Sequence, residues 1–273
     1  MSAMVMAGAV AHRYMAVLAY IQVATLLSLL GMALGWRGGM RNLHGFYDSP
    51  SMAKALVWGF GIGAIVAAAI DIFIFDLYVI LVYEGSSTVS WATLVLLGVF
   101  GAGISALTLW RAGNRAIRAK FAAPVNGWTF GLGTGAMLAA RLGNRVFELA
   151  QGFTFSAIIQ VALLSLFLPL IHAVIGCGLG ARAQRGEVSL AIFWATIAHA
   201  VGIMMVTYAA LDVLGWIFII PPLLLGMRRS DSKWLIESLH PEAARRLRRV
   251  RAQAIRDGRN SGVPTDTSLE ESE

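Results

Sequence analysis

Seven long apolar segments, separated by short polar or charged stretches, follow one another along the chain. They cover residues near 14–36, 55–83, 91–110, 126–147, 155–180, 189–211 and 213–227. A helix needs about 20 mostly apolar residues to cross the roughly 30 Å hydrocarbon layer of a membrane. The pattern therefore predicts an all-α, polytopic membrane helix bundle of about seven transmembrane helices over residues 1–227.

The composition agrees with this prediction and excludes a soluble globule. Hydrophobic residues make up 58% of the 273 residues and charged residues only 14%, which would leave too much apolar surface in water. The start of the chain has no basic region followed by a short apolar core and a cleavage site. We therefore expect the first span to remain as a signal anchor in a multi-pass protein of the cell membrane.

The basic residues predict the orientation, because short cytoplasmic loops hold an excess of Lys and Arg. One side of the predicted bundle carries Arg37, Arg41, Lys54, Arg111, Arg115, Arg118, Lys120, Arg182, Arg185 and the C-terminal tail. The other side carries Arg13, Arg141 and Arg145 together with Glu84, Glu148 and Asp212. The first side is predicted to be cytoplasmic, with the N-terminus outside. The net charge of +7 then reflects topology and not nucleic-acid binding.

The tail, residues 228–273, is predicted to be a basic and then acidic cytoplasmic appendage. Residues 228–259 carry ten basic against four acidic residues, and 260–273 carry four acidic residues and no basic one. Two short helices are expected, broken at His240-Pro241. Their arginines are candidates for binding the anionic headgroups of membrane lipids, although a solvated anchor explains them equally well: Arg245, Arg246, Arg248, Arg249 and Arg251.

Small residues recur every fourth position in the fourth span, at Gly127, Gly131, Gly135 and Ala139. This Gly-x-x-x-Gly spacing places them along one narrow helix face. Such faces let two helix backbones approach closely in a membrane. We expect a helix-packing role, with a groove for a ligand or a substrate helix as the alternative. Gly59 and Gly63 repeat the pattern in the second span.

His172 and His199 lie inside the fifth and sixth spans, where ionisable groups are costly and suggest a function. His172 is about eight residues before the cytoplasmic end of its helix and His199 about eleven residues after the start of the next, so at about 1.5 Å per residue their depths nearly match. A buried hydrogen-bonded pair is expected. The alternative is an incomplete zinc site, since catalytic zinc usually has three protein ligands.

Asp71 and Asp76 are the other intramembrane candidates, both in the second span. A spacing of five turns them about 140° apart on an α-helix, so they are not expected to act together. Asp71 is expected to face the bundle interior, either as a proton or cation site or paired with a buried polar group.

Three sequence segments resemble a known superfamily of membrane proteins: "NGWTFGLGTGAMLAA", "PLIHAVIGCGLGARAQRGE" and "IAHAV". They are similar to the PrsW-type intramembrane proteases and more so to the anterior pharynx-defective subunit of gamma-secretase, in a superfamily that includes the CAAX prenyl proteases. The resemblance covers about residues 95–227. The resemblance implies roles for Gly127, Gly131 and Gly135 in helix packing. It also implies that His172 and His199 correspond to the two intramembrane histidines that mark the gamma-secretase subunit.

The chain departs from the proteases of that superfamily at the expected catalytic glutamates. The third span ends "ISALTLWRAGNRAIRAK", and the matching stretch of the fourth span reads Ala140, Arg141, Leu142. General-base activation of water needs a carboxylate or its equivalent within hydrogen-bond reach. We therefore expect a non-catalytic pseudoenzyme, without a cofactor, that acts as an intramembrane scaffold or binding subunit beside another integral membrane protein. The alternatives are a diverged zinc metalloprotease and a small transporter that uses Asp71.

Overall fold

The computed structural model of the chain describes residues 2–43, 49–77, 79 and 90–256. This part of the chain contains no strand, so the all-α prediction is confirmed. Nine α-helices lie within it: α1 (Ser2–Met40), α2 (Ser49–Ile70), α3 (Trp91–Ala112), α4 (Arg115–Ala119), α5 (Ala123–Leu149), α6 (Phe155–Gln184), α7 (Val188–Leu211), α8 (Trp216–Arg229) and α9 (Pro241–Arg256). Single π-helical turns continue α2 over Asp71–Phe75 and α8 over Ser230–Trp234. Glu84 and the end of the predicted second span lie outside the described residues.

Six helical segments are long and apolar enough to cross a membrane, as expected of an integral membrane protein. These six segments are Met15–Met40, Ser49–Phe75, Trp91–Ala112, Phe155–Gln184, Val188–Leu211 and Val213–Ser238. They correspond to six of the seven predicted spans, and the predicted fourth span is not among them. Local sequence defines where several of these helices begin. Ser90 caps α3 by accepting a hydrogen bond from Thr93 N at 3.1 Å, and Thr154 caps α6 through Ala157 N at 3.3 Å.

The remaining long helix, α5, is the centre of the bundle. It has 27 residues, of which 22 are buried, including Trp128, Phe130 and Phe147. It is less apolar than the six segments above, because glycines and polar residues such as Asn126 and Thr129 occupy much of it and charged residues lie near its end. These small and polar residues pack against other helices, and small residues of this kind are common at helix contacts in membranes.

Glycines let α5 lie against two neighbours at backbone distance. On one face, a Cβ added at Gly127 or Gly131 would collide with the carbonyl oxygens of Gly176 or His172 in α6, and one at Gly135 would lie 2.6 Å from Leu168 O. On another face, a Cβ at Gly133 would lie 2.7 Å from Leu56 O of α2. Backbone approach of this kind is how small residues pack membrane helices.

The helices alternate in direction, which gives the bundle two distinct ends. The Arg111 end holds the starts of α2 and α5 and the ends of α3 and α6: Arg111 donates to Ser51 O at 3.2 Å, and Gly180 lies against Ala123. The Glu148 end holds the ends of α2, α5 and α7 and the start of α6. There, Gln160 of α6 donates to Ala209 O of α7.

Candidate functional site

The structure brings His172 of α6 and His199 of α7 together inside the bundle. Their rings stack with 5.1 Å between centroids and 26° between planes. Both side chains are buried, at 3% and 1% exposure. The backbone of His172 lies directly against Gly131, so the pair sits beside the glycine face of α5.

A third polar residue, Ser105 of α3, completes this group. Its hydroxyl lies 3.0 Å from His199 Nδ1 and donates to Gly101 O at 2.7 Å. His172 Nδ1 is buried without a hydrogen-bond partner among the described residues. The contacts link α3, α6 and α7 at one depth, and we call Ser105, His172 and His199 the histidine cluster.

The histidine cluster offers two imidazoles and a hydroxyl but no carboxylate. Among the described residues, no group of three or more His, Cys, Asp or Glu side chains is placed to hold a metal ion. Two imidazoles alone do not fit a zinc site, which takes three or four protein ligands. The cluster's chemistry is therefore that of buried polar contacts between helices.

A second polar group lies at the Glu148 end, around Asp71. Asp71 is 1% exposed and pairs with two guanidinium groups of α5. Arg141 Nε donates to it at 2.6 Å and Arg145 Nε at 2.8 Å. Of the two roles expected for Asp71, the structure therefore shows pairing with polar partners.

The expectation that Asp71 and Asp76 point apart was wrong, because the helix between them is not a regular α-helix. Asp76 N bonds to Asp71 O across the π-helical turn. The wider turn brings residues five apart toward one face. Both carboxylates consequently contact Arg145, whose guanidinium also reaches Glu148 at 3.0 Å. Together, Asp71, Asp76, Arg141, Arg145 and Glu148 form what we call the charge cluster.

The arginines of α9 point in different directions. Ala244 and Leu247 are buried and pack into the same core as the bundle helices. Arg245 and Arg248 line a cavity at the Arg111 end. All four of these arginines are exposed, but Arg246 and Arg249 do not line the cavity. The side chain of Arg251 lies outside the described residues.

Sequence reasoning missed Ser105 and the partners of Asp71. Arg141 and Arg145 were assigned to the outer side, yet both turn toward acids of α2. A comparison of depths along the helices could have found this pairing. Arg141 and Arg145 lie shortly before the end of α5, and Asp71 and Asp76 lie at the end of the second span, which meets α5 there. Asn144, which the sequence pattern did not indicate, also contacts the charge cluster, because its side-chain amide donates to Glu148 at 2.7 Å.

Comparison of the sequence with known protein families, with curated proteins and with solved structures found no match. The resemblance to the gamma-secretase subunit therefore depends on the glycine and histidine motifs alone.

Proposed function

We propose that the protein is a non-catalytic intramembrane scaffold or binding subunit of a membrane protein complex, like the anterior pharynx-defective subunit that it resembles. The observation that carries this proposal is the environment of the histidine cluster. Its two imidazoles stack on each other, and His199 bonds to Ser105, deep in a bundle packed through glycines. Ring stacking and a hydrogen bond that are shielded from solvent by packing hold α3, α6 and α7 in register.

The position of the acids supports a non-catalytic role. His172 lies against Gly131, whereas Arg141, which marks the depth of Asp71, is ten residues further along α5. At about 1.5 Å per residue this is a separation of roughly 15 Å. A general base must lie within hydrogen-bond reach of the water that it activates, and the carboxylates of the charge cluster do not meet that requirement at the histidines.

The seven-span topology belongs to the same proposal, with α5 as the span that is less apolar than the other six. Its 27 residues extend about 40 Å, enough to cross the hydrocarbon layer. Its charged residues at the Glu148 end form ion pairs with one another and with Asp71, which lowers the cost of placing them near the membrane. Contacts of Gly39 with Trp128 and of Gly226 with Val174 fit α1 and α8 as the first and last crossings.

The charge balance at the two ends supports an external N-terminus and a cytoplasmic tail. At the Glu148 end, both Arg141 and Arg145 are paired with acids. The Arg111 end holds many more basic residues, including the exposed Arg115 and Lys120. The orientation depends on the number of Lys and Arg residues at each end of the bundle, and the Arg111 end holds the larger number.

Affinity purification of the full chain in mild detergent tests the scaffold proposal. We expect another integral membrane protein to co-purify at a fixed ratio, and the parent chain to hydrolyse no transmembrane peptide. Peptide cleavage that disappears on chelation and with His172→Ala would replace the scaffold with a metalloprotease. Solute uptake that disappears with Asp71→Asn, while folding is retained, would replace it with a transporter.

A further inference from the structure

A cavity of about 570 Å³ opens at the Arg111 end, between the end of α6 and α9. Ile236, Leu239 and Ala244 form apolar parts of its wall, while Arg245 and Arg248 contribute guanidinium groups. The end of α6 is where this span leaves the membrane in the proposed topology. The cavity therefore lies near the depth of the lipid headgroups.

The positions of the arginines around the axis of α9 determine which of them line the cavity. Ala244 and Leu247 are buried, at 6% and 7% exposure, and they fix α9 against the bundle. Arg245 and Arg248 each follow one of these residues and lie on the same flank, three residues apart. Arg246 and Arg249 are turned a further 100° or so away. The same helix thus carries two arginines at the cavity and two outside it.

The charges of Arg245 and Arg248 are not neutralised within the described part of the chain, where neither forms an ion pair. Arg185, also at the cavity, is different: it bonds to Glu237 at 2.6 Å and to Glu187 at 3.0 Å. The hydrogen bond from Arg185 holds the pKa of the Glu187 carboxyl below its ordinary value. Among the described residues that line the cavity, Arg245 and Arg248 are therefore the basic residues without an ion pair, while Glu237, which also lines it, is paired with Arg185.

Gln184 is an uncharged residue of the cavity wall. Its Nε2 donates to Arg118 O at 2.8 Å, which orients the amide. Its side chain therefore adds no negative charge to the wall beside Arg245 and Arg248.

We propose that the cavity between α6 and α9 binds the phosphate group of a ligand through Arg245 and Arg248. Guanidinium groups match the geometry of phosphate oxygens and bind them with charge-assisted hydrogen bonds. The start of α9 at Pro241 also faces the cavity, and the positive end of a helix dipole favours an anion there. The phosphate belongs either to a lipid headgroup or to a soluble phosphate ester. This site does not depend on the scaffold role.

Native mass spectrometry of the full chain in detergent tests the proposal and separates the two sources. One arm titrates dioleoylphosphatidylglycerol, and the other titrates glycerol 3-phosphate. Binding of the lipid alone identifies the headgroup as the source, and binding of the soluble ester identifies a free phosphate ester. Either result supports the site if it depends on the cavity arginines. Failure of both probes to bind the parent protein would overturn it.

The matched controls lie on the same helix. Arg245→Ala/Arg248→Ala should weaken binding of the responding probe about tenfold or more, whereas Arg246→Ala/Arg249→Ala should weaken it less than about twofold. Gln184→Glu should also weaken binding, because it places a negative charge beside the phosphate. Equal losses in the two double variants would show general surface electrostatics and overturn the proposal, as would unchanged binding in the cavity variant. Thermal unfolding of each variant verifies that α9 remains folded.

Discussion

The rings of His172 and His199 stack 5.1 Å apart inside the bundle, while their helices, α6 and α7, run in opposite directions. Ser105 of α3 contacts the imidazole of His199. We therefore expect the two histidines to be energetically coupled. Truncating either one changes the surroundings of the other.

A double-mutant cycle measures this coupling. We expect His172→Ala and His199→Ala to destabilise the protein non-additively, with a coupling of about 0.5–1.5 kcal/mol, as for stacked ring pairs. Unfolding free energies of the purified protein give the value. The control combines His172→Ala with Ser28→Ala, at a hydroxyl that contacts Ser165 instead. Additive effects in the histidine cycle would contradict the paired arrangement.

The depth comparison between the histidines could be made from sequence because helix rise is constant and the two spans are consecutive. The glycine face of α5 was readable for a similar reason, since a repeat of four maps directly onto one face. The sequence did not predict which helices pack against that face. Gly133 packs on α2 while Gly131 packs on α6, and no sequence period specifies which helix lies on which side.

The charge cluster shows where the sequence argument failed. Angles computed for a regular helix placed Asp71 and Asp76 apart, but one π-helical turn changes the rotation between them. The apolar pattern did predict a span at residues 126–147, although α5 is less apolar than the other six segments. The failure at the charge cluster therefore concerns a local change of helical period, which the spacing of two residues does not reveal.

The glycine packing predicts opposite effects for two alanine substitutions. Gly131→Ala should lower stability by about 1–3 kcal/mol, because the new methyl group meets the carbonyl of His172 and must separate α5 from α6. Gly98→Ala is the matched control: no atom lies within 4 Å of the new Cβ, and alanine favours a helix over glycine. Thermal unfolding in detergent distinguishes them. Equal loss in both would contradict the close backbone contact.

The charge cluster predicts a difference between its two aspartates. Asp71→Asn should cost about 1–3 kcal/mol, because Asp71 is buried and Arg141 loses its carboxylate partner. Asp76→Asn should cost less than about 1 kcal/mol, because that carboxylate is 43% exposed. Unfolding free energies provide the comparison. Adding Arg141→Gln to Asp71→Asn should recover part of the loss, and no recovery would argue against the Asp71–Arg141 pair.

The position of α5 across the membrane can be tested at two sites, because α5 is the one long helix between residues 116 and 156. Ala116 lies at the Arg111 end and Ser156 at the Glu148 end, and both are exposed. Cys177 is fully buried, so it contributes little background labelling. In intact cells, a membrane-impermeant maleimide should label Ser156→Cys but not Ala116→Cys, and both after permeabilisation. Labelling of both in intact cells would show that α5 does not cross, while the reverse pattern would invert the proposed orientation.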